Sequence, residues 1–232
     1  AEALRHRLAS DPNVTVPRVF WNVTRTGVLT LERFSGARVD QVDKMRAAGI
    51  DPRNVALNLA RSMLRQVFQL GLFHGDPHQG NLVVMWDGRL GFLDMGQLGQ
   101  LDEGTRRAMG DLLLALVRND ATAALEGLLE VGAVGQDTDL TGLRRDLARL
   151  MTRYALLPRQ HFPLGECFQR LVTLLFHQGV RVPAEFTLLG KALLVTEAIC
   201  HEMDPDFDAA AAAQPTIVEL EDERASPRRF LS

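Results

Sequence analysis

Cysteine is scarce in this chain: it occurs only at Cys167 and Cys200, with no metal-ligand spacing, which excludes a disulfide-stapled scaffold and points to a reducing compartment. Lysine is scarcer than its partner arginine, with Lys44 and Lys191 alone, both in stretches of helical pattern. Basic charge is not in excess. With 26 Lys and Arg against 29 Asp and Glu, the net charge of -3 argues against a nucleic-acid partner, because phosphate-backbone binding needs clustered cations. No run of eighteen apolar residues occurs, so no transmembrane helix is expected. The first residues, AEALRHRLAS, are charged and helical in character, unlike a signal peptide. What is present is 232 residues of 46% hydrophobic content, enough for a full core in one or two domains.

The most informative stretch is Leu72 to Gly99, LFHGDPHQGNLVVMWDGRLGFLDMGQLG. It holds His74-x-Asp76, then Asn81 five positions after the Asp, then Asp94 thirteen positions after the Asn. Between Asn81 and Asp94 lie two short apolar runs joined by Trp86-Asp87-Gly88-Arg89, and Asp-Gly between apolar runs is a hairpin signal. A hairpin there folds the chain back, so that Asp76 and Asn81 before it can face Asp94 after it. That is the layout of a protein kinase, in which one Asp receives the hydroxyl proton while the Asn and the later Asp hold Mg²⁺ on the triphosphate. Two other readings stand beside it. The Asp and Asn residues are also ordinary turn formers. His74, Asp76 and His78 alternate and share a face in an extended segment, as metal ligands would, although the remaining histidines, His6, His161, His177 and His201, lie in unrelated contexts.

Phe73 to Leu82, FHGDPHQGNL, resembles the Phe-His-Ala-Asp-Pro-His-Pro-Gly-Asn signature of the UbiB/ABC1/ADCK (AarF) family of atypical kinases, linked to ubiquinone and other prenylquinone biosynthesis. VPRVFW at Val16 to Trp21, VLTLERFSG at Val28 to Gly36, and RRAMGDLLLALVRND at Arg106 to Asp120 are similar to family segments in family order. Gly75, Gln79 and Met95 depart from the usual Ala, Pro and Phe. Gly75 also makes the loop read His-Gly-Asp, as in aminoglycoside and choline kinases, which keeps a small-molecule phosphotransferase in play. The resemblance implies a mostly helical α+β, protein-kinase-like fold: the C-terminal lobe with the last strands of the N-lobe. It implies ATP and Mg²⁺ as cofactors, Asp76 as the residue that orients the acceptor, and Asn81 and Asp94 as the metal ligands. His78 stands two residues after Asp76, where many protein kinases have a Lys that reaches the transferred phosphate; a solvated loop histidine is the other reading.

Along the chain, Val14 to Trp21 and Gly27 to Arg33 read as two antiparallel strands. By resemblance they end an N-lobe. Glu32 to Ser35 would be the hinge, with Glu32, Arg33 and Phe34 lining the nucleotide, although Glu32 also reads as a plain strand-end carboxylate. Gly36 then ends the strand and Val39 to Ala48 begins the helical lobe. Val55, Leu59, Met63, Val67 and Leu70 mark a core-facing helix from Pro52, with Gly71 as its terminal cap. Phe73 is expected beneath the catalytic loop, and His74 as a structural residue. Further helices are expected at 103–118, 121–131, 140–154, 165–178 and 183–203, punctuated by Gly132, Gly135, Pro158, Pro163, Gly179 and Pro183. From 209 onward the Ala run and the charged, Pro-containing end read as a flexible tail.

The expected division is therefore residual N-lobe strands and hinge at 1–35, a kinase-like helical lobe at 36–208 and a tail at 209–232. The phosphate-covering loop, the nucleotide lysine and the family's Lys-x-Gly-Gln and Glu-x-Asp motifs are missing, so the chain reads as a fragment. Its intact parent is expected to be a UbiB-type kinase or ATPase supporting prenylquinone biosynthesis. It would be cytoplasmic and work at the inner face of the membrane, with nucleotide and a quinone-like lipid or other quinone-biosynthesis proteins as partners. A pseudokinase or regulatory scaffold is the non-enzyme alternative.

Overall fold

A computed structural model describes residues 1–132, 138–157 and 162–225. Gly135, Pro158, His161 and the last seven residues, named or included in the expectations above, lie outside the described residues. The elements in chain order are α1 (Glu2–Arg7), β1 (Val14–Thr15), β2 (Gly36–Arg38), α2 (Val42–Ala47), α3 (Pro52–Phe68), β3 (Leu72–His74), a 3-10 turn (Gln79–Asn81), β4 (Leu82–Met85), β5 (Leu90–Phe92) and β6 (Leu98–Gln100). Helices then follow: α4 (Glu103–Arg118), α5 (Ala121–Val131), α6 (Leu140–Ala155), α7 (Leu164–His177), α8 (Ala184–Met203) and α9 (Ala209–Ala225).

Helix α3 is the spine. Asp51 caps it by accepting from Arg53 N, Pro52 occupies the first turn where its missing N–H costs nothing, and Val55, Leu59, Met63 and Val67 are all buried. Gly71 adopts φ +61 just past its end and turns the chain into β3. The main core gathers α3, α8, α9 and both small sheets, whereas a second cluster joins α4, α5, α6 and α7 through Leu112, Leu128, Leu147, Leu171 and Leu175.

β4 and β5 form the expected antiparallel hairpin, Leu82 opposite Phe92, with Gly88 at φ +86 in its turn. They lie at the centre of a four-stranded sheet, ordered β1-β5-β4-β2. β3 and β6 pair separately, and the ring of Phe73 fills the space a side chain at Gly99 would need: a Cβ there would come within 2.1 Å of it. Phe73 is fully buried, as expected.

Three expectations are corrected. Gly36 opens a strand rather than ending one, because β2 pairs antiparallel with β4. Only Val14–Thr15 of the first expected strand is regular, and it runs parallel to β5; residues 14–21 meet 27–33 only through the Val19–Leu31 bridge and bonds such as Phe20 N to Thr30 O, 2.9 Å. Residues 209–225 form a packed helix instead of a tail. Asp208 caps it by accepting from Ala211 N, and Ala212, Ala213, Thr216, Ile217 and Leu220 make a buried stripe against α3 and α4. Ala run and proline mimic a linker, but the apolar spacing is helical.

Both cysteines are buried free thiols. Burial pushes the Cys167 thiol up to about 12 and raises that of Cys200 as well. No described helix is long and apolar enough to cross a membrane.

Candidate active site

Two loops meet at the open end of the β4–β5 hairpin. The first, 75–81, connects β3 to β4; the second, 93–97, connects β5 to β6. They are tied to one another at both ends. Gly75 N donates to Gln97 O at 2.9 Å, continuing the β3–β6 pairing, and Leu93 N donates to Asn81 O at 2.8 Å, continuing the hairpin. This double tie lays the loop that carries Asp76 and Asn81 beside the loop that carries Asp94.

The first loop is stiffened from within. His78 N donates to Asp76 O and Asn81 N to His78 O, each at 2.8 Å. Asn81 Nδ2 donates to Asp76 O at 3.1 Å, and since only the nitrogen can serve a carbonyl, this fixes the amide and turns Oδ1 to the other side. Beneath the loop, His74 is fully buried, its backbone N–H donates to Gln66 Oε1 of α3 at 2.9 Å, and its Nδ1 accepts from Asp76 N at 3.1 Å. His74 therefore supports the loop, the structural part expected of it. Burial lowers its proton affinity below the ordinary 6.5.

His78 lies outside, with Nδ1 accepting from Gly80 N at 3.0 Å, so that Nε2 carries the proton in the neutral ring and lies 3.9 Å from Asp76 Oδ2. Asp94 is exposed and accepts from Gly96 N at 2.8 Å, while Met95 packs on the main core. The amide oxygen of Asn81 and the carboxylate of Asp94 are hard oxygen donors of the kind Mg²⁺ takes alongside phosphate oxygens. Among the described residues, no three His, Cys, Asp or Glu side chains cluster closely enough to hold a metal by themselves.

Glu32, Arg33 and Phe34 precede β2. Glu32 Oε2 accepts from Arg18 N at 3.2 Å and both charged side chains are exposed, whereas the ring of Phe34 lies against Gly91 in β5 so closely that a Cβ there would come within 2.6 Å. The segment thus rests on the strand that leads to Asp94.

One residue of the site escapes sequence reasoning. Lys191 of α8 places Nζ 2.7 Å from Asp76 Oδ1. That hydrogen bond and its charge hold the Asp76 carboxyl below its usual range, against the opposing effect of burial. Gly75, which made the loop read His-Gly-Asp, is set by packing: a Cβ there would come within 2.8 Å of Leu188 on the same helix.

A family model described as the ABC1 atypical kinase-like domain matches residues 1–128, and one described as the UbiB helical domain matches residues 147–208. Among curated relatives, an uncharacterized protein of Synechocystis sp. is 31% identical over 217 residues, 94% of this chain and 38% of that protein. The chloroplastic protein ACTIVITY OF BC1 COMPLEX KINASE 7 of Arabidopsis thaliana is 30% identical over 210 residues, 90% of this chain and 30% of its own length. The chain thus spans about a third of the length of these relatives. Among solved structures, Rv3197 of Mycobacterium tuberculosis, in complex with erythromycin, matches with a TM-score of 0.60 at 18% identity, covering 92% of this chain and 55% of that one, a likeness of fold.

Proposed function

Because the chain belongs to the ABC1 atypical kinase-like family, we propose that the intact protein binds Mg-ATP and passes its terminal phosphoryl group to a hydroxyl compound or to water. The observation that carries this reading is the double tie between the two loops, which lays the loop of Asp76 and Asn81 beside the loop of Asp94. Asn81 and Asp94 would hold the cation, which would supply positive charge against the phosphates. Glu32, Arg33 and Phe34 lie on the nucleotide side. Asp76 orients the acceptor: a bond forms from the acceptor oxygen to the terminal phosphorus, the bond from that phosphorus to the bridging oxygen breaks with its electron pair leaving on ADP, and the acceptor proton passes to Asp76. His78 offers its Nε2–H to the moving phosphoryl group.

The acceptor side is read as prenylquinone-lipid metabolism. The resemblance of Phe73 to Leu82 to the UbiB/ABC1/ADCK signature supports it. Titration of the intact protein with ATP, with and without Mg²⁺, tests the roles. Asp94→Asn is expected to weaken Mg-dependent binding about tenfold or more, while Asp76→Asn leaves binding near wild type and slows turnover about a hundredfold. Equal effects on binding and turnover in both variants contradict the assignment. Nucleotide binding indifferent to Mg²⁺ points to a scaffold, and stimulation by a soluble hydroxyl compound rather than a quinone-like lipid points to a small-molecule phosphotransferase.

A further inference from the structure

Phosphoryl transfer concentrates negative charge, and protein sites meet it with fixed cations. This chain has two lysines, and its catalytic loop carries His78 where a lysine could have stood. The structure supplies one from elsewhere: Lys191 arrives from α8, 115 residues along the chain from Asp76. The approach is built. One helical turn before Lys191, Leu188 occupies the space that Gly75 leaves open, and at the far end of the same helix Glu202 accepts a hydrogen bond from Gln79 Nε2. Helix α8 therefore lies along the catalytic loop and touches it at both ends.

We propose that Lys191 is a positioning residue of the transfer site: it acts through Asp76, fixing which carboxylate oxygen faces the acceptor, and so makes α8 a working part of the centre. Lys191 takes Oδ1 at 2.7 Å, so Oδ2, on the side of His78 Nε2, is the oxygen left to receive the acceptor. This rests on the proposed phosphotransfer reading. The bland alternative is a half-exposed ion pair that merely pins the helix and leaves the rate unchanged.

The test compares the intact wild-type protein with Lys191→Met, Lys191→Arg and Asp94→Asn. Lys191→Met is expected to lower kcat about tenfold or more with nucleotide Kd unchanged within about threefold. Lys191→Arg should recover part of the rate, and melting temperatures should agree within about 2 °C. Wild-type kcat in Lys191→Met overturns the proposal, as does a rate loss that follows a fall in melting temperature and is not rescued by Arg. A wild type that turns over no ATP, or whose turnover ignores Asp94→Asn, overturns the phosphotransfer reading and this assignment with it, and differs visibly from an active wild type insensitive to Lys191.

Discussion

Burial of His74 makes the fold sensitive to mild acid. The imidazole is fully enclosed and lies 5.7 Å from the Phe92 ring. Desolvation lowers its folded pKa below 6.5, with the backbone of Asp94 and the charges of Asp76 and Asp94 opposing. The unfolded chain consequently takes the proton first as pH falls through about 6.5, and the stability present above that value is progressively lost. Chemical denaturation at pH 7.5 and 5.5 should show a smaller acid loss in His74→Gln than in wild type; the pH dependence is the readout, since the substitution shifts the level for other reasons. At this scale the hairpin that brings the loops of Asp76, Asn81 and Asp94 side by side was legible, because its Asp-Gly turn sits between two short apolar runs. Lys191 was not. Its partner lies across the fold, and a helix-to-loop contact leaves no local pattern, only the rarity of lysine as a hint.

Helices α7 and α8 show how one element completes another. Pro163 cannot cap α7 with a side chain; Glu197 of α8 does so instead, accepting from Leu164 N at 3.1 Å and Gly165 N at 2.9 Å. Burial pushes this carboxyl up from its ordinary value while the two N–H bonds pull it down. At Gly165 the helices are so near that a Cβ would lie 2.7 Å from Leu194 Cα. Glu197→Ala should cost about 1–3 kcal/mol by leaving two donors unmet, and Glu197→Gln, which keeps an acceptor, should cost less; urea midpoints decide, and an unchanged Ala midpoint removes the cap. Helices α4 and α5 match the expected bounds residue for residue because apolar spacing, the caps Asp102 and Asp120, and the stops at Asn119, left-handed at φ 56, and Gly132 agree. β2 and β6, three residues each, are too short to show alternation and exist through their partners β4 and β3.

For the molecule as a whole, α9 closes the main core over α3 and α4. Its buried Ile217, Leu220 and three alanines contribute on the order of 5 kcal/mol. A chain ending at Asp208 should therefore melt roughly 10–20 °C below one ending at Ser232, and a difference under about 2 °C would mean that α9 does not dock. The mostly helical α+β architecture was readable from periodicity, whereas the separation into two cores depends on which helix faces meet, and that is a property of packing. The two enclosed sulfhydryls have a practical corollary. Neither exposes a thiolate at neutral pH, so the native chain offers a quiet background, and a single new cysteine on the outer face of α8 could carry a fluorophore whose signal follows that helix alone.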